Sequence, residues 1–84
     1  MAEGYDITLK KEVLIEVAAD VYAQCYRYEQ DHGLTDEKHP VSVMRRTIAQ
    51  TQHGIVTLKT DEELERARGQ FDFARACLKA LEGT

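Results

Sequence analysis

The sequence predicts an all-α fold, a small three-helix bundle with two long antiparallel helices and a shorter middle helix. Three observations carry this. Apolar residues recur at steps of three and four along most of the chain. Gly33, Pro40 and Gly54 fall between those runs, where helices stop and start. Only one stretch, 55–59, is rich enough in β-branched residues to favour extended backbone.

The first helix is expected over about 9–32, with Asp6 or Thr8 as its N-cap. Gly33 then takes the position just past its end, free to adopt positive φ, and Leu34 is the apolar residue that follows. Residues 35–39 form a polar connector. Pro40 suits a first helical turn, where its missing N–H costs nothing, and the second helix runs over about 40–53 until Gly54 stops it. The segment 55–59 reads as extended and is a candidate partner for Ile7-Thr8-Leu9 in a two-strand ribbon. Thr60 with Glu63 three residues on is a capping box, which starts a third helix over about 61–82.

The long helices carry more apolar surface than one stripe. On the first, Leu14, Ala18, Val21, Cys25, Tyr28 and His32 make one seam. Ile15, Ala19, Tyr22 and Tyr26 make a second, and the two together span an arc of roughly 200°. On the third helix, Leu64, Ala67, Phe71, Ala74, Leu78 and Leu81 form the core seam, while Gly69, Phe73, Ala76 and Ala80 lie on a separate side. Small residues around one Phe suit close approach of another helix, with Phe73 as its anchor. The middle helix presents Val41, Met44, Ile48 and Thr51 on its apolar face and Ser42, Arg45, Arg46, Gln50 and His53 on its polar face.

Eighty-four residues make one domain, 1–84. A chain of this size buries only roughly 60–65% of the surface its unfolded form exposes, so a partner often completes its stability. The net charge of −4 favours solubility and argues against a broad nucleic-acid surface. Cys25 and Cys77 fall inside helices without CxxC spacing, the pattern of a reduced, cytoplasmic protein. Residues 1–6 lack the pattern of a signal peptide, and no apolar run approaches the ~20 residues that cross a bilayer.

No catalytic, cofactor or metal motif is evident. The acidic residues Asp61, Glu62, Glu63 and Glu65 sit at a helix N-terminus, where they complement the macrodipole. Cys25 and His32 share a face, yet a zinc site wants four ligands with close-spaced pairs. His39 and His53 lie beside helix ends, as carbonyl caps do. The reading is therefore a non-enzymatic protein–protein interaction module, either a homodimer or a subunit bound to a larger protein. In size and composition it is comparable to bacterial and phage-encoded modulators and inhibitors. Its expected interface is Ile15, Ala19, Tyr22 and Tyr26 with Gly69, Phe73, Ala76 and Ala80, the latter four being the first place to look for self-association. The alternative is a small nucleic-acid-binding regulator that uses Arg45, Arg46, Gln50 and His53.

Overall fold

The computed structural model describes residues 2–83, and side-chain surroundings from residue 7 onward. Three α-helices follow in order, α1 (Ala2–His32), α2 (Pro40–Gly54) and α3 (Asp61–Glu82), with a 3₁₀ turn at Ile55–Thr57 between the last two. At 1.5 Å per residue α1 is about 46 Å long and sets the long axis of a particle of 48 × 22 × 16 Å.

The core forms where the regular seams meet. Leu14, Ala18, Val21 and Cys25 of α1 pack with Val41 and Ile48 of α2, Ile55 of the 3₁₀ turn, and Leu64, Ala67, Phe71, Ala74 and Leu78 of α3. For α1 and α3 these are the seam residues read from the sequence, except at the ends; in α2 only Val41 and Ile48 of the four expected are in the core, Met44 and Thr51 being half-buried, and Ile55 was not expected there. At the seam ends Tyr28 is half-buried, and His32 and Leu81 are exposed.

Local chemistry sets the helix boundaries. Gly33 has φ 58°, the Gly33 N–H donates to the Gln30 carbonyl (3.3 Å) and the Leu34 N–H to the Glu29 carbonyl (2.9 Å). These are the paired bonds of a Schellman motif, with half-buried Leu34 folded back onto the core. Gly33→Ala is expected to lower stability by about 1 kcal/mol in urea unfolding, since a Cβ is strained at that φ. At α3, Thr60 Oγ1 accepts from the Glu63 N–H (3.2 Å) and the Glu63 carboxylate accepts from the Thr60 N–H (3.2 Å), which closes the capping box. The Lys59 N–H donates to the same carboxylate at 3.1 Å. The backbone bond from Lys59, with the Thr60 hydroxyl and N–H, holds Glu63 below its ordinary pKa.

Four expectations are corrected. The helix α1 starts at Ala2 rather than about residue 9, so Asp6 and Thr8 lie inside it and do not cap it. Ile7, one heptad before Leu14, is half-buried against the core and extends that seam by two turns. Residues 55–57 form the 3₁₀ turn instead of extended backbone, which within 55–59 is shown only for Leu58 (φ −72°, ψ 142°), and there is no strand among the described residues. Ile55 is fully buried, the Leu58 N–H closes onto the Ile55 carbonyl (3.1 Å), and Thr57 Oγ1 donates to the Gly54 carbonyl (2.7 Å). Burial of Ile55 thus outweighs β-propensity, and Ile7-Thr8-Leu9, being helical, offers no ribbon partner. Gly54, expected just past α2, is instead its last residue, with φ −84°, and the chain runs on into the 3₁₀ turn.

The fourth correction concerns direction. Gln52 Nε2 donates to the Ile15 carbonyl (3.2 Å) while Ser42 and Arg45 meet Glu29, so α1 and α2 are antiparallel. Lys10 pairs with Asp61 at 3.0 Å, and a groove runs from Leu9 and Leu64 to Val17 and Arg75. The two long helices are therefore parallel. Each short connection reverses the chain, and two reversals restore its original direction.

Candidate interaction site

The second seam of α1 divides in two. Ile15 and Tyr22 are half-buried against the core, on the side that α2 covers. Ala19 is exposed and Tyr26 is 52% exposed. The short middle helix therefore absorbs one half of the seam and leaves the other outside.

The outer face of α3 is not absorbed at all. Gly69, Phe73, Ala76 and Ala80 are all exposed, and Phe73, at 69%, is the most exposed large apolar residue among those described. A Cβ built on Gly69 would meet nothing within 4 Å. Packing within this chain therefore gives no reason for a glycine that costs a helix interior about 0.5–1 kcal/mol relative to alanine. Beside this face a groove of about 490 Å³ lies between α2 and α3, lined by Val43, Met44, Thr47, Gly69 and Phe73 among others. Val43, which the sequence reading passed over, is 44% exposed on its wall. Its only sequence signal was its place just off the apolar face of the middle helix.

The four residues of the nucleic-acid alternative do not share one role. Arg45 Nε is paired with Glu29, whose other oxygen accepts from the buried Ser42 hydroxyl (3.0 Å). Arg45 also donates to the Tyr22 hydroxyl (3.3 Å), and these bonds raise its pKa further above the ordinary value. That guanidinium ties α1 to α2 and is only 25% exposed. Arg46 donates to the Glu37 carbonyl, 2.6 Å away, bracing the connector. Gln50 and His53 are exposed. Ser42, read as polar surface, is buried because Glu29 supplies its partner, a pairing visible only once the helices are docked.

The remaining candidates are structural. Cys25 lies fully buried, and burial, with the Glu29 charge added, pushes its thiol from an ordinary 9.0 up to about 11. The folded chain therefore keeps its proton while the unfolded chain loses it, so this contribution to stability is full below about pH 9 and lost as pH rises through about 11. Alkylation should label half-buried Cys77 first and spare Cys25 until the chain unfolds, which mass spectrometry of a timed reaction would show. His32 Nδ1 lies 3.1 Å from the Tyr28 carbonyl, as a C-terminal cap does, and its ring stacks on Tyr28 at 4.0 Å. His39 caps in the opposite sense to the one expected, since its Nδ1 accepts from the Val41 N–H (3.1 Å) at the start of α2.

The arrangement offers apolar faces on a satisfied scaffold. Among the described residues no buried side-chain polar atom lacks a hydrogen-bond partner, and no helix is long and apolar enough to cross a membrane. Residues 3–81 match the family described as bacterial epsilon antitoxin. The chain belongs to that family. A curated relative, antitoxin PezA of Streptococcus pneumoniae serotype 4, is 31% identical over 83 residues, which cover 95% of this chain and 52% of the relative. The chain thus spans about half the length of that curated relative. A solved structure from the PezAT chromosomal toxin–antitoxin system of the same species superposes with a TM-score of 0.89 at 30% identity, covering 98% of this chain and 90% of the other. The all-α, three-helix architecture agrees with these matches.

Proposed function

We propose that this chain neutralises a toxin protein by stoichiometric binding, without catalysis, and that the outer face of α3 is the surface that holds the toxin. Membership of the epsilon antitoxin family supports the class of partner. The observation that carries the surface is Phe73, 69% exposed beside Gly69, whose backbone lies open to close approach. An aromatic anchor flanked by small residues suits a desolvated contact with another folded protein. The toxin is then inactive because the bound chain covers its working surface or holds it in an inactive shape.

A second reading is self-association, which the sequence placed first on the Gly69/Phe73/Ala76/Ala80 face; with that face given to the toxin, it rests on a different one. Tyr26 and Ala19 are exposed on α1 while their seam-mates Ile15 and Tyr22 are covered, so a twofold-related copy could bury that half of the seam. Light scattering should then give a dimer that Tyr26→Glu dissociates and Phe73→Glu leaves intact. A monomer throughout contradicts self-association.

Titrating purified toxin with this chain tests the main reading. Toxin activity should fall linearly and reach its floor at a fixed molar ratio. Full loss at a small substoichiometric ratio would instead require turnover and contradict neutralisation by binding.

A further inference from the structure

We infer that the α2/α3 groove receives one amphipathic helix of the partner, carrying an acidic residue on the edge that faces Arg66. For the identity of the partner this rests on the antitoxin reading above; for the mode of docking it rests on the groove itself.

Backbone chemistry decides between a helix and an extended segment. No strand is present among the described residues, so the groove has no sheet edge with free N–H and C=O groups. An extended peptide lying there would lose water from its own backbone and gain no ladder. A helix satisfies its backbone internally and needs only apolar contact. The shape agrees. The helix α1 packs along both α2 and α3, whereas those two leave a groove between them. A fourth helix laid on the α2/α3 side, opposite α1, would complete a four-helix bundle. Gly69 lies on that side with nothing within 4 Å of the Cβ position, so the incoming backbone can approach closely.

Charge fixes the edge of the occupant. The groove walls are Val43, Met44, Thr47, Ile48, Phe73 and other uncharged residues, and Arg66 is the one charged residue among its lining. A basic edge on the occupant would face that guanidinium in a largely apolar setting. An acidic edge would pair with it and set the register of the helix.

A stapled helical peptide of about four turns, leucine-faced with a glutamate edge, is the probe, titrated into the ¹⁵N-labelled chain. Shifts should concentrate at Val43, Thr47, Gly69 and Phe73. A peptide with a lysine edge should bind about tenfold more weakly, and Arg66→Glu should reverse that preference. Gly69→Leu, which fills the groove without removing a core contact, should abolish binding of both peptides while the spectrum stays folded. No binding, shifts elsewhere, or indifference to the edge charge would overturn the inference. So would concentration-dependent shifts at these residues without peptide, which would make a second copy the occupant. Toxin binding separates the two proposals. If the toxin complex survives Gly69→Leu, helix docking fails and the antitoxin reading stands. If no toxin complex forms at all, the antitoxin reading fails and the peptide titration still decides the groove.

Discussion

Phe71→Ala and Phe73→Ala, two positions apart on one helix, are expected to give opposite results. Phe71 is fully buried and among the largest side chains in the core. Removing it forfeits the transfer free energy of the ring and leaves a cavity, a loss of about 3–5 kcal/mol. Small domains have a total stability of about 5–15 kcal/mol, with short chains at the low end. The variant should therefore melt roughly 15–30 °C lower, since a kcal/mol moves Tm by about 4–8 °C at this size. Phe73 at 69% exposure supports little of the fold, and its replacement should change stability by less than about 0.5 kcal/mol. Thermal melts of the isolated chain check both. Comparable losses from the two substitutions would show that Phe73 belongs to the core after all.

The second large effect is at Arg45. Its removal would leave the Glu29 carboxylate, whose side chain is 12% exposed, holding only the Ser42 hydroxyl, and would strip Tyr22 of its donor. An unpaired charge in a partly buried site costs more than the net gain of the pair, so Arg45→Ala should destabilise by about 2–3 kcal/mol. Arg46→Ala, exposed and bonded to one carbonyl, should cost less than about 0.5 kcal/mol. The double variant Glu29→Gln/Arg45→Met removes both charges and should recover part of the loss. Urea unfolding of the four proteins measures this directly. Equal effects at Arg45 and Arg46 would mean that both are surface charges, as the nucleic-acid alternative required.

The core was legible because its signal is local and periodic. Leu14, Ala18, Val21 and Cys25, and again Leu64, Ala67, Phe71, Ala74 and Leu78, are buried at the helical spacing that named them. Gly33 and the Thr60/Glu63 box were legible because one residue type, or one pair at one spacing, performs each task. What was missed depended on docking. Ser42 and Arg45 read as polar surface until Glu29 is brought opposite them. Ile55 reads as strand until its burial is known. The start of α1 at Ala2 was obscured by two capping residues, Asp6 and Thr8, that lie inside a helix extended by Ile7. The parallel run of the long helices was missed although two short connections imply it, and the Lys10–Asp61 pair shows it.

The exposed face of α3 lies between these cases. Its residues were named from spacing, on a side apart from the core seam, yet the groove beside them needed the structure. Gly69 shows how local cost and partner contact pull apart. In the isolated chain Gly69→Ala should raise stability by about 0.5–1 kcal/mol, since nothing there obstructs a methyl group. Any loss of partner binding in that more stable variant would then report contact and not folding.

Calorimetric titration of the toxin with wild-type chain and with Phe73→Glu, beside thermal melts of both, separates contact from folding at the outer face of α3. Phe73→Glu should lose about 30-fold or more in affinity, the signature of a buried aromatic anchor, with Tm unchanged. Equal affinity for the two proteins would contradict the assignment of the toxin to the outer face of α3.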